Sequence, residues 1–151
     1  MIKPENWQAA DNLVLEPNAL QAAIEQVSSL ALTAGPGAGK TEMLAQRADF
    51  LLRTGTCPYP KRILAISFKV DASRNLKERV KRRSGSSLSS RFDSYTFHAF
   101  AKRIIDRFRL VLVGVDALDA DYQIGDKRVT RRQIEFNDLV PLAITILESS
   151  Q

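Results

Sequence analysis

Eight residues constrain this chain more than any others: Ala34-Gly35-Pro36-Gly37-Ala38-Gly39-Lys40-Thr41. Six small or ring-closed side chains leave the backbone bare, and a lysine and a threonine close the run. Bare backbone lets several N–H groups approach one phosphate. The flanks supply the context that this chemistry requires. Upstream, Ser29-Leu30-Ala31-Leu32-Thr33 reads as a short buried strand. Downstream, Lys40 opens a helix with Met43, Leu44, Phe50 and Leu51 on its apolar face and Gly55 as its stop. A strand, a small-residue loop and a helix start at this spacing make a phosphate-binding loop, with Ala34 standing where the strict pattern has Gly. Ala34, Gly35, Pro36, Gly37, Ala38 and Gly39 form its cradle, at the positive end of the helix dipole. Lys40 is placed to reach the β- and γ-phosphates of ATP, and the Thr41 hydroxyl to ligate Mg²⁺. The competing reading is a glycine-rich turn that caps the helix and binds nothing, and the two flanks argue against it.

Charge points to a second anionic partner. The 151 residues carry 22 Lys plus Arg against 17 Asp plus Glu, a net +5. Residues 61–109 hold 14 basic and 4 acidic side chains, whereas the rest holds 8 and 13. The positive charge is therefore concentrated in one stretch. One cysteine, Cys57, excludes an intrachain disulfide framework, and with one histidine, His98, it leaves too few ligands for a conventional zinc site. No apolar run approaches the roughly 20 residues of a membrane span, and the N-terminus lacks a signal-peptide pattern. A cytoplasmic protein with no membrane partner is the expectation.

The remaining periodicities alternate strand and helix. Pro17 opens a helix to Val27 with Leu20, Ala23, Ile24 and Val27 inward. A second strand runs from Arg62 to Phe68, followed by a basic helix over 72–83 with Leu76 and Val80 inward and Arg74, Lys77, Lys81 and Arg82 outward. A third strand over Phe92 to Tyr95 leads to a helix over Phe97 to Phe108, which Thr96 caps and which buries Phe100, Ile104 and Phe108. Phe136 to Leu147 is helical again, with Pro141 in its first turn. The order predicts an α/β fold with a mostly parallel sheet.

Four blocks in this order resemble the UvrD/Rep-like superfamily 1 DNA helicases, over about Leu15 to Ser150. Leu15-Glu16-Pro17-Asn18-Ala19-Leu20-Gln21-Ala22-Ala23-Ile24 looks like the family's Q motif, in which a glutamine amide reads adenine; Gln21 is the matching position. The phosphate loop of this family commonly begins with Ala, as here. Many members carry Arg after the Thr, whereas this chain has Glu42. Ile63 to Lys69 is similar to motif Ia, departing from the family at Lys69-Val70-Asp71, and the resemblance assigns a base-stacking face to Phe68 and a phosphate contact to Lys69. Tyr95-Thr96-Phe97-His98 resembles motif Ib, with Thr96 and His98 facing a DNA phosphate.

The resemblance implies a RecA-like nucleotide-binding domain, incomplete within 151 residues, spanning 1–151 with 110–133 as a reduced connection in the place of subdomain 1B. It implies ATP and Mg²⁺ as cofactors. Single-stranded DNA and the remaining helicase domains of a parent protein are the implied partners. The family's Asp-Glu-x-Gln-Asp block does not occur in these residues, so the expectation is a part that binds nucleotide weakly and hydrolyses little by itself. Leu110 to Asp116 has the outline of an alternative acidic strand end, but Ala117 follows where a glutamate is needed. Two other readings stay open: a nucleic-acid-binding module that relies on the basic helix, and another phosphate-loop nucleotide hydrolase without helicase activity.

Overall fold

In a computed structural model, which describes residues 1–149, the chain divides into two compact units, Met1–Ser94 and Tyr95–Gln151. It is a mixed helix and strand protein, as the alternating pattern predicts. The elements in order are α1 (Pro17–Ile24), α2 (Lys40–Arg53), β1 (Ile63–Ser67), α3 (Val70–Ser89), β2 (Phe92–Thr96), α4 (Phe97–Phe108), β3 (Leu118–Gly125), β4 (Arg131–Glu135) and α5 (Leu139–Glu148).

In the first unit α2 and α3 pack side by side on the β1–β2 sheet. Ala45, Ala48 and Leu52 of α2 meet Leu76 and Val80 of α3 and Phe92 of β2, and Ile63 and Ala65 add the inner face of β1. Period-two alternation leaves Leu64 and Ile66 of β1 exposed. A second cluster joins Trp7, Ala23 and Phe50, with the two aromatic rings edge to face at 5.4 Å. Beneath it lies the buried carboxylate of Asp49. Trp7 Nε1 donates to it at 2.9 Å and Ser84 Oγ at 2.8 Å, which offsets the cost of burying that group. These bonds pin the N-terminal segment and α3 to α2.

In the second unit Ala101, Ile104 and Ile105 of α4 pack against Leu139, Leu142, Ala143 and Ile146 of α5, with Leu118 and Ile134 from the β3–β4 sheet. Thr96 caps α4 as its type predicts: its Oγ1 accepts from Ala99 N at 3.3 Å. Ile104 is buried as expected and Phe100 packs against the same core, but Ile105 is fully buried in place of Phe108, which lies half outside.

Two expectations need correction. Helix α1 ends at Ile24, because the Glu25 carboxylate turns the chain by accepting from Val27 N at 2.7 Å and Ser28 N at 2.8 Å. Val27 is left exposed. Ser29 to Thr33 is not a strand, since among the described residues no strand pairs with it, and Leu30 and Leu32 are exposed. An apolar pentapeptide has strand composition, but only a neighbour's hydrogen bonds make it one. Leu110 to Asp116, whose outline of a strand end lacks the following glutamate, forms short 3₁₀ turns, and Asp116 Oδ1 accepts from Arg128 at 2.6 Å. Among the described residues no helix is long and apolar enough to cross a membrane.

Candidate nucleotide and nucleic-acid site

The 34–41 segment takes its shape from two glycines. Gly37 and Gly39 have φ of +74° and +73°, a left-handed backbone that other residues adopt only with strain, and Gly39 is the residue from which α2 starts. A Cβ added at Gly35, Gly37 or Gly39 would meet no protein atom within 4 Å. Open space lies beside the backbone at all three. Pro36 and Gly37 form the turn, closed by Ala38 N donating to Gly35 O at 3.3 Å.

Lys40, the first residue of α2, folds back over this loop. Its Nζ donates to the carbonyl oxygens of Ala34 and Gly35, each at 2.6 Å. The ammonium thus sits against the start of the loop on two short charge-assisted bonds, exposed to solvent. Thr41, half-buried in the next position, lines a cavity of about 330 Å³ together with Ser67, Ala72 and Ser94. The end of β1 and the threonine that closes the loop therefore share one wall.

Gln21 is exposed on α1. What ties its helix to the loop is Arg47 of α2, a residue without a motif to announce it. Arg47 Nη1 donates to Ala22 O at 2.6 Å and Glu25 O at 2.9 Å, satisfying carbonyls at the C-terminal end of α1. Arg47 and Lys40 also line one open cleft of about 500 Å³ with Ala22, Leu30, Leu32 and Met43. Glu25, just beyond α1, is held below its ordinary carboxylate pKa by the backbone N–H groups of Ser28 and Val27.

Phe68 and Lys69 follow β1 directly. Phe68 is 90% exposed, which argues against a core role for so large an apolar side chain. Lys69, exposed, is the residue before α3, and its carbonyl accepts from Ser67 Oγ at 3.0 Å. Thr96 and His98 lie in the second unit, at the start of α4. The His98 ring stacks on Phe136 with centroids 4.2 Å apart, so one face is packed. Along the same helix Arg103 covers the Tyr95 ring at 5.7 Å, and Lys102 and Arg107 share its cleft.

The structure adds a cluster that the motifs do not announce. Glu42, one residue after Thr41, accepts from Arg79 Nη1 at 2.7 Å, Arg83 Nη2 at 2.7 Å and Gln46 Nε2 at 2.9 Å. Both arginines belong to α3. The only signal in the sequence is the acid itself, at a position where the resembled family has a base.

Among the described residues no group of three or more His, Cys, Asp or Glu could hold a metal ion. A magnesium ion carried largely by phosphate oxygens and water needs little more from a protein than one hydroxyl, a donor of the kind the half-buried Thr41 has.

The model of the UvrD/REP helicase N-terminal domain matches residues 15–141. The chain is 32% identical over 114 residues to the ATP-dependent DNA helicase UvrD1 of Mycobacterium leprae, covering 76% of this chain and 14% of that protein. It is 35% identical over 101 residues to DNA helicase IV of Escherichia coli, covering 67% and 14%. A probable DNA helicase of Mycoplasma pneumoniae is 29% identical over 118 residues, covering 76% and 22%. The matched segment thus spans less than a quarter of each of these relatives.

Proposed function

The chain belongs to the UvrD/REP helicase N-terminal domain family, and from that premise we propose that it is the ATP-binding part of an ATP-dependent DNA helicase that moves on single-stranded DNA. The observation that carries this reading is Lys40: it opens α2 beneath two left-handed glycines and reaches back across the loop it closes. In this reading the fold is the phosphate-loop half of a RecA-like domain. Residues 110–133, which contain β3, take the place of the 1B connection.

Each residue then has a task. The backbone of Ala34 to Gly39 cradles the phosphates, while Lys40 exchanges its two carbonyl partners for phosphate oxygens and neutralises their charge. Thr41 holds Mg²⁺, which when bound supplies charge neutralisation at the β- and γ-phosphates. Gln21 reads the adenine edge, on a helix that Arg47 secures. Phe68 stacks on a base, Lys69 meets a phosphate, and Thr96 and His98 contact the backbone of the strand at the start of α4. The exposure of Phe68 supports the first of these.

Two measurements test the proposal. Mg-ATP binds to the wild-type chain and not to Lys40→Ala, while an oligothymidylate binds with an affinity that falls steeply with added salt. Retained nucleotide affinity in Lys40→Ala overturns the loop assignment. Salt-dependent DNA binding without any nucleotide binding identifies a nucleic-acid module instead.

A further inference from the structure

Position 42 departs from the family pattern that the chain resembles, and the departure is built into the packing. A carboxylate this close to a phosphate cradle is electrostatically unfavourable unless something compensates it. Here two arginines one helical turn apart on α3 do so. Arg83 is the deeper: its side chain is 5% exposed, its Nη2 lies 2.7 Å from Glu42, and its Nε has no hydrogen-bond partner. Arg79 adds a bond to the same carboxylate, and Asn75 Oδ1 orients its guanidinium by accepting from Nε at 2.8 Å. Gln46, buried one turn along α2, holds Oε1 of Glu42 and is itself fixed by Ala10 N, which donates to Gln46 Oε1 at 2.9 Å. Every acceptor position of Glu42 is engaged by a group that is itself anchored.

The two ends of this link matter for different ligands. On α2 it grips the turn that begins with Lys40 and Thr41. On α3 it grips a helix whose first residues follow Phe68 and Lys69. Ten residues of helix separate Lys69 from Arg79, about 15 Å of rigid rod. Glu42 lies two residues beyond Lys40 on the first turn of α2, so its ion pairs tie the turn that carries Lys40 to α3.

We propose that Glu42 is a positioning residue that links nucleotide uptake by the 34–41 loop to DNA engagement at the start of α3 through its ion pairs with Arg79 and Arg83. The proposal rests on the assignment of the loop to ATP and of Phe68 and Lys69 to single-stranded DNA. Linkage makes the effect reciprocal: DNA alters nucleotide affinity by the same factor as nucleotide alters DNA affinity.

The test measures the affinity of the full chain for a non-hydrolysable ATP analogue with Mg²⁺, with and without saturating oligothymidylate, in wild type, Glu42→Gln, Arg79→Ala and Arg79→Lys. Trp7 fluorescence verifies folding of each variant. The wild type gives a ratio of the two affinities of about fivefold or more. Glu42→Gln and Arg79→Ala bring it within twofold of unity, and Arg79→Lys, which keeps the charge, restores it. A ratio that the variants leave unchanged, or a wild-type ratio of unity, overturns the link while leaving the ATP and DNA assignments intact. Absence of nucleotide or DNA binding in the wild type removes those assignments and the link together.

Discussion

Glu42 and Arg83, 41 positions apart in sequence, meet at 2.7 Å with the arginine almost wholly enclosed. The pair joins the helix that opens at Lys40 to the basic helix α3, and it fixes the relation between the two largest helices of the first unit. A buried ion pair of this kind adds little net stability over an apolar pair, but removing one partner strands the other.

That asymmetry gives the first prediction. Glu42→Ala leaves the enclosed Arg83 with only the more distant carboxylate of Asp11, at 3.5 Å, and costs about 1 to 3 kcal/mol, whereas Glu42→Gln keeps an acceptor oxygen and costs less. Denaturant unfolding followed by Trp7, the one tryptophan of the chain, measures both. Equal and small losses would show that the pair is not enclosed as described.

The glycines of the loop separate structural from binding roles. Gly39→Ala places a Cβ on a left-handed backbone and destabilises by about 1 to 2 kcal/mol. Gly35→Ala meets no protein atom, so stability stays within about 0.5 kcal/mol of wild type while the new methyl intrudes on the phosphate cradle. Nucleotide affinity should therefore fall in both variants, and unfolding free energy in Gly39→Ala alone.

The second unit carries a pH-sensitive contact. Asp106 accepts from Lys102 Nζ at 2.6 Å and from Tyr122 Oη at 2.7 Å. Burial raises its pKa, but the bonds from Lys102 and Tyr122 outweigh burial and hold it below the ordinary carboxylate value. The Tyr122 phenol is raised in turn, by burial and by the same carboxylate. A depressed carboxylate stabilises the fold above its unfolded pKa of about 3.9 and loses that contribution as pH falls through the folded value. Asp106→Asn should be less stable than wild type at pH 7, with the difference shrinking toward pH 3. An unchanged difference across that range would contradict the contact.

Helices were legible because their signals are local. Proline at the start of α1, glycine after α2, Thr96 before α4 and the spacing of Leu76 and Val80 each act within a turn or two of chain. The left-handed turn at Gly37 and Gly39 falls within the small-residue run for the same reason. Segment 29–33 was misread because its leucines and alanine describe a strand only if another strand lies beside it. The Glu42 cluster and the Arg47 bonds to α1 were invisible for a related reason: they join residues more than 20 positions apart, and no periodicity reports such a pairing. Asp49 likewise looks like a solvent-facing acid on a helix until Trp7 and Ser84 enclose it.

Whether the loop closed by Lys40 is an ATP site is decided by calorimetric titration of Mg-ATP into the wild-type chain and Lys40→Ala. Saturable one-to-one binding by the wild type, lost in Lys40→Ala while both show the same unfolding curve, is the predicted result. Equal binding by both proteins, or none by the folded wild type, would contradict it.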